Sequence, residues 1–193
     1  MHDLTPATEM LGRVVMDVDD DQLGAATPDG DATVADLLDH INSLSQAFAA
    51  AASKDVASSR PAPPPDGSRL PPDWRVSIPL RLAALAAAWR SDPAWTGTTS
   101  VGGNDMPAEV AASVATNEVI VHGWDLAAGT GHDFAADPEL VEVAIAFVEA
   151  AVRQRPDGVP GLFGPAVAVP DGAPALHRLL GLTGRDPAWQ PAA

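Results

Sequence analysis

Five stretches of this chain carry apolar residues at intervals of three and four, and none alternates apolar with polar over a convincing length. Such a chain can bury its apolar surface only by packing helix on helix. Leu4, Ala7, Leu11, Val14, Val15 and Val18 predict a first helix over about residues 3–18. Thr33 is a good N-cap, and Asp36 stands three residues later as in a capping box, where Glu or Gln is the usual partner. Behind that cap Val34, Leu37, Leu38, Ile41, Leu44, Ser45 and Phe48 share one face of a second helix over 33–53. Ile78, Leu82, Leu85 and Trp89 place a third over 79–91, ending before Asp92-Pro93. The fourth is expected over 107–128, with Pro107 in its first turn and Gly129-Thr130-Gly131 stopping it. Asp137-Pro138-Glu139 opens a fifth over 137–154, and the tail beyond Pro156 has one short helical pattern, Ala175–Leu182.

Proline and glycine punctuate these helices rather than interrupt them. The connections Lys54–Arg75 and Ala94–Met106 read as loops, the second containing Gly102-Gly103. Both are expected to border the mouth of any site between the second and fourth helices. At 193 residues one domain is the default expectation for the whole span.

The formal charge of −15 argues against a grip on phosphate backbones or anionic membrane surfaces, which requires a basic face. With no cysteine, disulfides, thiolate metal sites and cysteine nucleophiles are excluded, so any metal must sit on imidazole and carboxylate. No basic leader and no apolar run of about 18 residues is present, and a cytoplasmic location is the default expectation.

The fourth helix departs from an ordinary core helix. At about 100° per residue, Glu118, His122 and Asp125 fall within a sector of about 60° that also holds Ala111, Val114 and Ala128. One reading is a solvated helix side with a Glu–His pair one turn apart, worth a few tenths of a kcal/mol. The other is a ligand site. His40, on the flank of the second helix beside Leu37, Ile41 and Leu44, reads by itself as a half-buried structural histidine. Taken together, His40, Glu118 and His122 offer three N and O ligands from two helices and leave a coordination position open, as catalytic metal sites do. Asp125 is either a solvated carboxylate or the group that orients His122. Asp36, one turn before His40, could accept from that histidine, although capping is the simpler role. Trp124 falls on another sector and reads as packing, while His2, His132 and His177 are expected at the surface.

The segments Asn117–Ala128 (NEVIVHGWDLAA) and Val34–Ile41 (VADLLDHI) resemble the N-terminal metal-binding domain of mycothiol-dependent maleylpyruvate isomerase, within the DinB-like superfamily. The tail from Phe163-Gly164-Pro165 through Leu182-Thr183-Gly184-Arg185-Asp186-Pro187-Ala188-Trp189 is similar to that of a group of actinobacterial DinB-like proteins of about this length. The resemblance implies an all-α, DinB-like four-helix bundle with an additional C-terminal helix and an extended tail. His40, Glu118 and His122 would be its metal ligands. For such donors Zn is the default divalent ion, with Ni, Fe and Mn open. The implied function is a metal-dependent transferase acting with a mycothiol-type thiol and an electrophile. The alternatives are a non-catalytic metal or small-ligand binding or regulatory module, and an empty structural site. A homodimer is an open option.

The family resembled commonly has a Pro-Cys and a Trp shortly before the second helix, where this chain has Pro28-Asp29 and Ala32. The isomerase also has a C-terminal domain contributing to its cleft, for which this chain leaves no room. Isomerase activity is therefore not carried over.

Overall fold

The computed structural model describes residues 1–55, 61, 63–159 and 161–191. Residues 56–60 and 62 of the expected Lys54–Arg75 connection lie outside the described residues. Among the described residues six α-helices form: α1 (Thr5–Asp17), α2 (Val34–Ala52), α3 (Trp74–Ala88), α4 (Ala108–Thr130), α5 (Pro138–Gln154) and α6 (Ala175–Leu182). The first four make the bundle, with α1 and α2 each packed on both α3 and α4, while α5 lies on α4 and α6 on α5. This is the helical bundle with an added C-terminal helix and tail that the resemblance implies. Among the described residues no helix is long and apolar enough to cross a membrane.

Two local expectations are corrected. The third helix starts at Trp74, so Pro79 lies inside it rather than at its first turn. A proline there removes one backbone bond. The extra turn is held by tertiary contacts: Trp74 and Ile78 are buried, and Arg75 stacks on Trp74 while donating to the Val18 carbonyl. Gly12 of α1 faces Pro79, where a Cβ would make an ordinary contact at 3.7 Å. The second correction is a β-hairpin inside the expected loop Ala94–Met106, β1 (Thr98–Val101) paired antiparallel with β2 (Asn104–Pro107). Its two-residue turn is Gly102-Gly103, both at positive φ (59° and 81°), the conformation that matches strand twist and favours glycine. Thr99 ties the hairpin to the bundle by donating to the Ala51 carbonyl at the end of α2.

The helix α4 is buried on nearly its whole circumference, because α1, α2, α5 and the hairpin all cover it. Hence the sector carrying Glu118, His122 and Asp125 does not face solvent. The reading of a solvated helix side fails for packing reasons, and three ionisable groups enter the interior, where each must find partners.

Candidate metal centre

Local sequence positions the two contributing helices. Thr33 and Asp36 form a reciprocal capping box, with the Asp36 amide donating to Thr33 Oγ1 at 3.2 Å and the Thr33 amide donating to Asp36 Oδ2 at 3.0 Å. The other Asp36 oxygen accepts from the Gly67 amide at 2.7 Å. The Asp36 carboxylate is thus committed to the cap and to the segment that crosses α2, with its hydrogen bonds going to Thr33 and Gly67 rather than to the His40 ring. One turn on, His40 projects toward α4 from the edge of the buried α2 face and remains 30% exposed. On α4, Gly123 follows His122 because the chain after the helix folds back so closely that a Cβ would lie 2.6 Å from the Phe134 ring.

The structure brings His40, Glu118 and His122 together, with one ligand atom from each lying within 4.8 Å of the others. Glu118 Oε2 lies 3.5 Å from His40 Nε2 and 3.3 Å from His122 Nε2. Ligand atoms about 2.1 Å from a tetrahedral ion are about 3.4 Å apart, so these two edges already have the required length. The imidazole rings are edge-to-face, with centroids 4.7 Å apart and planes at 84°. Glu118 and His122 are buried, so the partly exposed His40 marks the open side.

Behind the triad, His122 Nδ1 is 3.1 Å from Asp125 Oδ2. An ionised carboxylate only accepts, which makes Nδ1 the donor and leaves Nε2 directed at Glu118 and the open side. This carboxylate–histidine arrangement accompanies many metal-binding imidazoles. Burial works against the charge on Glu118, yet hydrogen bonds from His122 and His40 outweigh it and hold the carboxyl at about 2. Burial also opposes a charged His122, but Asp125 and Glu118 together push it up to about 10. In the absence of an ion, a proton on His122 supplies the positive charge that the carboxylates require.

Sequence reasoning missed Arg185 and Asp29. Arg185, from the tail, is buried and donates to both Asp125 oxygens, through Nε at 3.3 Å and Nη2 at 3.0 Å. The same Nη2 reaches Asp29 Oδ1 at 2.5 Å. Asp29, noticed only as a departure from the family's Pro-Cys, therefore stands at the edge of this centre. The available signal was an arginine directly after a short apolar helix in a strongly acidic chain, where a buried base has many acids to choose from. Among the other histidines, His2 is not simply on the surface: Nε2 lies 2.8 Å from Thr116 Oγ1 and the ring sits edge-on to Trp95. His132 is half-buried with Nδ1 2.8 Å from Thr130 Oγ1, and His177 is exposed.

Comparison with known proteins gives a consistent family. Two uncharacterized proteins from strains of Mycobacterium tuberculosis, Rv0738 and MT0763, are each 28% identical over 180 residues, 93% of this chain and 93% of their own length. The crystal structure of a mycothiol-dependent maleylpyruvate isomerase has a similar fold, with a TM-score of 0.65 and 21% identity. That match covers 96% of this chain and 89% of the other, so the shared fold takes in the tail as well as the bundle. A histidine-to-alanine mutant of that isomerase matches with a TM-score of 0.59 and 23% identity over 80% of this chain and 69% of its own. The sequence family described as the mycothiol maleylpyruvate isomerase N-terminal domain matches residues 4–127, which include all three members of the triad. By that match, the chain belongs to the mycothiol maleylpyruvate isomerase N-terminal domain family, a DinB-like group.

Proposed function

We propose that His40, Glu118 and His122 hold one divalent metal, Zn by default, and that the protein is a metal-dependent transferase joining a low-molecular-weight thiol of the mycothiol type to an electrophile. The observation carrying this reading is the convergence of two imidazoles and one carboxylate at tetrahedral edge lengths with one partly exposed ligand. A divalent ion bound there supplies Lewis acidity that makes a thiol or water nucleophilic near neutral pH. The protein's own part is to present three donors, to fix the His122 tautomer through Asp125, and to keep Glu118 ionised. Because the chain contains no cysteine, the sulfur must arrive with a small molecule. The reading takes residues 1–193 as one domain, which the seating of the tail's Arg185 on α4 supports.

Elemental analysis of protein purified without a histidine tag tests the metal, with about one equivalent expected. Conjugation of mycothiol or bacillithiol to monochlorobimane, with and without added metal, tests the reaction. Metal-dependent turnover is expected. Stoichiometric metal without turnover of either thiol would replace the transferase with a non-catalytic binding module, and absence of metal would leave the triad structural.

A further inference from the structure

We infer that Arg185 is a positioning residue for the metal centre, acting through Asp125 on His122, so that the tail beyond α5 is a working part of the site. The inference rests on the metal reading above. It starts from how α6 ends. The Arg185 amide donates to the Leu180 carbonyl at 2.8 Å and the Gly184 amide to the Gly181 carbonyl at 3.1 Å, the paired bonds of a Schellman cap. Gly184 has φ of 83°, a conformation that costs glycine nothing, and it turns the chain so that the next side chain enters the bundle. There the guanidinium meets Asp125, which is 0% exposed. Arg185 Nη1 also donates to the Thr183 carbonyl at 3.1 Å, and Asp29 closes the other side.

The geometry fixes a chain of contacts from tail to ligand. A carboxylate with only His122 as partner could rotate about its Cβ–Cγ bond. With Arg185 on both its oxygens, Asp125 has one orientation, and Oδ2 is presented to His122 Nδ1. That sets the plane of the imidazole and therefore the direction of Nε2. Asp29, His122 and Asp125 also place ligand atoms within 4.8 Å of one another, a second grouping that could suggest another metal. The guanidinium already bridges its two carboxylates and provides the cation, so this grouping is the support of the first site rather than a second one. These contacts join Asp29, His122 and Asp125 to Arg185, which lies far beyond the 4–127 span of the family match.

The test is the dissociation constant for Zn2+ from competition with a chromophoric chelator, together with the visible spectrum of the Co2+-loaded protein. Arg185→Ala is expected to weaken Zn2+ binding about 10- to 100-fold, the usual range for losing support behind a ligand histidine, and to change the Co2+ spectrum. Arg185→Lys, which keeps the charge but lacks the fork, should fall between it and the parent, and it carries the test if the alanine variant does not fold. Leu179→Ala loosens the packing of α6 without touching Asp125 and should leave the constant within about twofold. In the Asp125→Asn background, Arg185→Ala should add little further loss, since the two act in series. Parent-like affinity and spectrum in both Arg185 variants would overturn the inference. So would an equal loss in Leu179→Ala, which would make the effect one of general tail loosening. If the parent protein takes up no Zn2+ or Co2+, the metal reading itself fails.

Discussion

The two carboxylates flanking His122 live in unlike surroundings. Glu118 shares its oxygen with a second histidine that is partly open to solvent, whereas Asp125 is sealed behind the ring by an arginine and lies at 0% exposure. On the front, the positive charge between His40, Glu118 and His122 can be a proton or an ion. On the back it is a covalently attached guanidinium that cannot leave. An exchangeable cation in front and a permanent one behind is what a centre needs if it is to accept a metal without reorganising its supports.

The largest expected effect breaks the front. Glu118→Gln or His122→Ala should abolish stoichiometric metal binding, measured by elemental analysis after dialysis against a weak chelator, while the far-ultraviolet circular dichroism stays helical. Breaking the back should do less. Asp125→Asn is expected to keep metal bound but to weaken its affinity about 10- to 100-fold. Should Asp125→Asn empty the site while Glu118→Gln stays loaded, front and back have been assigned the wrong way round.

Much of this comparison can be read from the sequence, because the residues of the front obey helical periodicity. Glu118 and His122 are one turn apart on a helix whose limits were visible, and His40 follows a recognisable cap. The back was legible only in part. Asp125 shares the sector, but Arg185 arrives from 60 residues away through a turn at Gly184, and no local pattern announces where such a turn points. The start of α3 was hidden for a similar reason: Pro79 favours a boundary locally, and the burial of Trp74 and Ile78 overrides it. The hairpin was hidden by its brevity, four residues per strand, although Gly102-Gly103 was the signal for its turn.

The contrast also sets a pH dependence. His122 is pushed up to about 10, so without metal it holds its Nε2 proton at neutral pH, and an ion must displace that proton. Uptake between about pH 7 and 9 should release about one proton from His122, and apparent affinity should rise about tenfold per pH unit there, levelling off above about 10. Glu118, held at about 2, contributes no proton in this range. The stability that the protonated ring gives the metal-free fold has the opposite slope: it is complete below the ordinary histidine value and is lost as pH rises through about 10. Calorimetric titration with Zn2+ in two buffers of different ionisation heat counts the proton. Equal heats in both buffers would show that His122 is already neutral and that the front is not exchanging one cation for another.

The smallest expected effect separates a helix cap from a metal support. Asp36 is one turn from His40, yet its oxygens accept from the Thr33 amide, the Thr33 hydroxyl and the Gly67 amide. The Thr33 hydroxyl bond, followed by the backbone bonds, holds its carboxyl below the usual aspartate range. The cap is therefore at full strength above that range and fades as pH falls through the depressed value. Asp36→Ala should cost about 1 kcal/mol, about 2–4 °C in Tm, with the loss shrinking below about pH 4. The Zn2+ dissociation constant should stay within about twofold of the parent. A tenfold weakening of Zn2+ binding would mean that His40, like His122, relies on a carboxylate behind it, and the two histidines of the triad would then be supported alike.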